Sequence, residues 1–155
     1  MCTRIIKILL LAGLLDAPVF AASPESVAMM QTKYDAARVV YDVSSDTLEK
    51  LNNVLDRISM LQNIYESDPF DASIIVVIHD AAIPYFVKGN NQKFHELVKR
   101  AQSLTMGDVI KFRMCSASAR MQGFKQEDIQ DFIVMVPMAD AEIIKLQREE
   151  YALMH

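Results

Sequence analysis

Cysteine is nearly absent from this chain of 155 residues: only Cys2 and Cys115 occur. Cys2 falls inside an N-terminal stretch with the layout of an export signal, so its removal leaves Cys115 as the single thiol. One thiol excludes an intramolecular disulfide, the usual use of cysteine in an exported protein. Cys115 is then either packed and inert or kept for chemistry. Glycine is also scarce, with four isolated residues, and no glycine-rich phosphate loop can be built from them. Blocks of basic charge are missing as well. Without a basic stripe or an interleaved aromatic platform, nucleic acid and anionic membrane surfaces are not expected as partners.

The export signal rests on Arg4 and Lys7 ahead of the apolar run Ile8 to Leu15, followed by Pro18. Val19-Phe20-Ala21 supplies the small residues that cleavage needs, which leaves Ala22 as the new terminus. A cut after Ala22 fits less well, because Phe20 would take the outer small position. The run is too short to cross a membrane, which takes about 20 residues, and Asp16 interrupts it. The expected organisation is a signal peptide over 1–21, a polar leader over 22–36 and one domain over 37–155. Loss of Arg4, Lys7 and Asp16 takes the formal charge from −4 to −5, with the charges scattered along the chain. A periplasmic or secreted location, without a membrane partner after cleavage, follows from this reading.

Within the domain, apolar runs alternate with helical patterns. Arg38 to Val43 reads as a buried strand, with Ser44-Ser45-Asp46 as turn and helix N-cap. Leu48, Leu51, Leu55, Ile58 and Leu61 then recur at helical spacing as far as about Tyr65. Ser73 to His79 is an almost unbroken apolar run, the mark of a strand buried on both faces in a parallel sheet. A short helix over 82–87 takes Pro84 in its first turn, Lys88 to Asn91 turns, and Phe94 to Leu104 forms the next helix. Val109 to Met114 is a third strand with Cys115 at its carboxyl end. A short helix from Ser116 to Gln122, a turn, a strand over 132–136 and a helix over 139–152 complete the pattern.

Four strands alternating with helices predict an α/β domain: a small flavodoxin-like, three-layer parallel sheet of order 2-1-3-4 with helices on both faces. In that order the ligand crevice opens between the carboxyl ends of strands 1 and 3. Cys115 and the crevice-edge residues Asp42, Ser44 and Ser45 would meet there, with His79 ending strand 2. A thiol at a helix start is favoured as thiolate by the dipole and free N–H groups, and Arg113, Arg120, Ser116 and Ser118 are candidate stabilisers of an anion. A Cys-His dyad is disfavoured, because strand 1 would separate His79 from Cys115 by two strand spacings, roughly 10 Å. A neutral histidine hydrogen-bonded near the surface is expected instead. No Gly-x-Ser-x-Gly elbow supports a serine hydrolase. Met114 beside Cys115 offers soft metal donors, but Met114 and Met135 in strands and Met60 in a helix read as core filler. No metal or other cofactor is expected.

Arg38 to Ser44 through Leu51 to Leu55, Val109 to Cys115, and Val136-Pro137 with the helix ending at Leu146 to Ala152 together carry a resemblance. Over about residues 37 to 153 the chain resembles the DsrE/DsrF-like sulfur-relay superfamily, and most closely its exported single-domain members. The resemblance implies a small α/β fold, homo-oligomers that are often trimers or hexamers, and a cysteine that carries sulfur as a persulfide. Cys115 matches that cysteine, with sulfur-donor and acceptor thiol proteins as implied partners. This chain has Ser116 and Ala117 where the subgroup has glycine and asparagine. The competing expectation is a non-catalytic, oligomeric small-ligand-binding module in which the cysteine is incidental.

Overall fold

Strand β2 (Ala72–Ile78) is the long apolar run of the sequence, and all its residues except Ser73 are buried. Burial of both faces needs a strand on each side and cover above and below. A computed structural model, which describes residues 34–155, supplies both. β1 (Ala37–Val43) leads through α1 (Leu48–Ile64) to β2, and a 3₁₀ segment (Asp80–Phe86) and α2 (Asn91–Leu104) lead on to β3 (Ile110–Cys115). The short α3 (Ser116–Met121) precedes β4 (Ile133–Val136), and α4 (Ala139–Arg148) precedes a fifth strand, β5 (Ala152–Met154). All pairings within the sheet are parallel, in the order β4-β3-β2-β1-β5.

The α/β class and parallel sheet are as the sequence predicts, whereas the expected order 2-1-3-4 is corrected. Successive strands are laid side by side in one direction, so right-handed crossovers place the intervening helices on one face. Leu51, Leu55 and Ile58 of α1, Leu97 and Ala101 of α2, and Ala119 of α3 share that face's core with Val39, Tyr41, Ile74, Val76, Phe112 and Met114. The direction reverses only after β4. There α4 crosses the other face, packing Ala139, Ile143 and Leu146 on Val40, Ile75, Val77 and Cys115, and delivers β5 to the free edge of β1. The switch point is therefore between β3 and β4, not between β1 and β3. Cys115 ends one of these two strands.

Local details also differ from expectation. The cap of α1 is Thr47, whose hydroxyl oxygen accepts from the Lys50 N–H at 3.3 Å, and Ser44 to Asp46 form only the approach to it. Met60 is 65% exposed on α1, so it does not fill the core. The segment containing Pro84 winds as a 3₁₀ helix.

The last helix stops at Arg148, four residues before the expected end. Tyr151 N–H donates to Leu146 O at 3.0 Å and Glu150 N–H to Gln147 O at 3.1 Å, the paired bonds of a Schellman motif. Glycine normally takes the left-handed position of that motif, but here Glu150 holds it at φ 68°. The usual sequence signal for a helix end is consequently missing, and the three-residue β5 beyond it goes unannounced. Relief of the left-handed strain should make Glu150→Gly more stable by about 1 kcal/mol. A urea midpoint that is unchanged or lower would contradict this.

Candidate functional site

Cys115 ends β3 and caps α3, so its side chain stands where the chain turns from sheet to helix. Its Sγ accepts a hydrogen bond from the Ser118 backbone N–H at 3.3 Å. The residue is only 4% exposed, packed against the α4 side of the sheet. One wall nevertheless faces a cavity of about 200 Å³ that His79, Ser118, Met121 and Met138 also line. The Ala117 N–H donates to Pro137 O at 3.2 Å, tying the start of α3 to the segment after β4 across the switch point.

His79 directly follows β2, and its N–H donates to Val43 O of β1 at 2.9 Å. Because β2 lies beside β3, with Ile78 opposite Met114, one strand spacing of roughly 5 Å separates the two strand ends. The two spacings expected from the other strand order are thereby corrected. No Cys-His dyad follows, for a different reason. His79 Nε2 lies 2.5 Å from Asp42 Oδ1, and Nδ1 lies 3.0 Å from Asp80 Oδ2, so a carboxylate occupies each ring nitrogen. Only the doubly protonated ring can donate at both positions.

Burial opposes charge on His79, yet the hydrogen bonds to Asp42 and Asp80, with the charges of those carboxylates, outweigh it and raise its pKa above 6.5. The two carboxylates thus favour the charged ring, where the sequence reading expects a neutral hydrogen-bonded histidine. Asp80 shifts down, first because the Ser118 hydroxyl donates to it, and also through its hydrogen bond to His79 and the charge of that ring; partial desolvation opposes the shift. The Ser118 hydroxyl donates to Asp80 Oδ1 at 2.5 Å, and its oxygen accepts from the Asp80 N–H at 3.1 Å. Gln122 Nε2 donates to Asp80 O at 2.8 Å. These bonds hold Asp80 in the left-handed region, at φ 47°. A polar chain thus runs from Asp42 through His79 and Asp80 to Ser118, whose own N–H reaches the sulfur.

A raised histidine pKa contributes stability that is complete below the ordinary value of 6.5 and is lost as pH climbs through the folded value. Between about pH 6 and pH 9, the wild-type urea midpoint should therefore fall more than that of His79→Gln. Equal falls in the two chains would show that the imidazolium contributes nothing.

The remaining candidates separate. Arg113 shares the sheet face of Cys115 but is ion-paired with Glu142 of α4, which Lys145 also approaches at 3.8 Å. Arg120 is exposed and Ser116 half-buried, and neither side chain has a hydrogen-bond or ion-pair partner among the described residues. Ser44 and Ser45 line a different pocket, of about 370 Å³, with Lys50, Asn53 and Arg57. Asp42 belongs to that pocket and also binds His79, making it the link between the two places. Sequence reasoning missed Asp80, Gln122, Met121 and Met138. Asp80 adjoins His79 at the end of a buried strand and could have been noticed there. The two methionines meet only through the fold.

The model of the DsrE/DsrF-like family matches residues 19–155. The chain belongs to the DsrE/DsrF-like family. Membership in this family suggests a function of the sulfur-relay type. A solved structure of a protein of unknown function from Methanobacterium thermoautotrophicum has the same fold, with a TM-score of 0.65 at 19% identity. The alignment covers 76% of this DsrE-like chain and 97% of that one. None of the curated proteins matches it. The signal peptide expected over 1–21 and the expected leader as far as residue 33 lie outside the described residues. No helix among the described residues is long and apolar enough to cross a membrane.

Proposed function

We propose that this protein is an exported sulfur carrier, periplasmic or secreted, that holds sulfane sulfur as a persulfide on Cys115. The observation that carries the reading is Cys115 Sγ on the wall of a small cavity, with the Ser118 N–H directed at it. Anionic sulfur, whether thiolate or persulfide, accepts such a bond more strongly than a neutral thiol does. The cavity of about 200 Å³ has room for an added sulfur atom and the end of a donor.

In the loading step the Cys115 thiolate attacks the outer sulfur of a donor persulfide or polysulfide. A new S–S bond forms as the old one breaks, and the donor leaves as a thiolate. In unloading, an acceptor thiolate attacks the outer sulfur of Cys115-S-S⁻, and Cys115 departs as thiolate. The sulfur atom moves without net oxidation, so no metal, cofactor or external reductant enters. Donor and acceptor are thiol proteins or small thiols, and the carrier works as a homo-oligomer, a trimer or hexamer. Of the surrounding groups, Ser118 touches the sulfur through its N–H and is held by Asp80, whereas Arg113 is engaged by Glu142. Arg120 and Ser116, neither of which lines the cavity, would serve only as anion stabilisers for an incoming polysulfide.

Incubating the reduced protein with inorganic polysulfide, followed by intact-mass measurement, tests the reading. An adduct of about 32 Da, removed by excess thiol, is expected. Absence of the adduct in protein whose Cys115 still alkylates would remove the carrier role in favour of a binding module with an incidental cysteine.

A further inference from the structure

We propose that Cys115, Met121 and Met138, three sulfur side chains brought to one cavity from α3, its cap and the segment after β4, form a binding site for a monovalent soft cation, Cu(I). Methionine is ordinarily core filler, and Met114, wholly buried in β3, fits that description. The two methionines at this cavity do not, since Met121 is 89% and Met138 49% exposed. Neither belongs to the apolar clusters of the core in the single chain. Both instead flank the buried thiol.

The donors that would suit a harder ion are already taken. Both His79 nitrogens bind carboxylates, and the Asp80 oxygens hold His79 and the Ser118 hydroxyl. Among the described residues no group of three His, Cys, Asp or Glu side chains could hold a metal, so zinc lacks a ligand set here. What remains is one thiolate and two thioethers, a soft set that favours Cu(I) over divalent ions. The three rotatable bonds of each methionine allow the thioethers to close on an ion beside the thiolate. Asp140, also on the cavity wall, adds negative charge that draws in a cation without needing to ligate it.

Copper and sulfane sulfur would compete for the same atom, so occupation by one excludes the other. The metal site stands independently of the sulfur-carrier reading. The test uses reduced full-length protein in which Cys2 is replaced by serine in every variant, under anaerobic conditions, with Cu(I) supplied as its bicinchoninate complex. Wild-type protein should withdraw one Cu(I) per chain from the chelator. Cys115→Ser should withdraw none, and Met121→Leu/Met138→Leu should bind on the order of tenfold more weakly or worse. Because both methionines are exposed, the double variant should keep its unfolding midpoint, which is measured alongside. Failure of the wild-type protein to compete with bicinchoninate would overturn the proposal. So would a folded double variant that holds Cu(I) as tightly as the wild type. A chain that takes sulfur but no Cu(I) removes the metal site and leaves the carrier, and a chain that takes Cu(I) but no sulfur does the reverse.

Discussion

A Cys115→Ser chain that also carries Cys2→Ser is expected to fold normally and to gain no mass on exposure to polysulfide, a complete loss of loading. Serine is nearly the size of cysteine and can still accept from the Ser118 N–H, so the capping bond of α3 survives the change. Its hydroxyl is a far poorer nucleophile at neutral pH and forms no stable sulfur adduct, because the proposed loading step depends on thiolate attack. Cys115 is also the only free cysteine among the described residues, and with Cys2 replaced no other thiol remains in the chain. The measurement pairs intact mass with circular dichroism. A folded Cys115→Ser chain that still acquired about 32 Da at a single site would place the sulfur elsewhere.

Phe112→Ala should be the most damaging of the core truncations, costing about 3–5 kcal/mol. Phe112 is 1% exposed in the central part of β3, and its ring meets Phe132 edge-on at 5.6 Å and Phe86 at 6.4 Å. Truncation removes the apolar burial and both ring contacts. It also opens a void between two neighbours on separate elements that cannot both move in to fill it. Domains of this size are stable by about 5–15 kcal/mol, so a loss of this order leaves little margin at 37 °C. Urea unfolding of the variant gives the figure directly. A cost below about 1 kcal/mol would mean that the core collapses around the site.

What the sequence disclosed depended on how local each signal was. The run from Ser73 to Ile78 could only be a strand covered on both faces, and it is the centre of the sheet. Strand order is a longer-range property. Nothing between Val43 and Ala72 states on which side of β1 the next strand will lie, so 2-1-3-4 and the observed order are equally consistent with the pattern. The difference moved His79 next to the strand that carries Cys115. The end of α4 was hidden for a local reason, the absence of glycine at Glu150, and with it went β5. Cys115 at the carboxyl end of a strand was legible from the residues alone. The pairs that surround it, Asp42 with His79 and Asp80 with Ser118, join positions 37 and 38 residues apart, and no sequence spacing announces such contacts.

The placement of β5 bears on how the molecule is made. β1 is among the first segments of the domain to emerge in synthesis, yet one of its two edges is completed only by Ala152 to Met154, nearly the last residues of the chain. Pairing at such sequence distance is slow and must wait for almost everything between. Until then Val39, Val40 and Tyr41 sit in a strand with an open side, the condition that invites pairing with another chain.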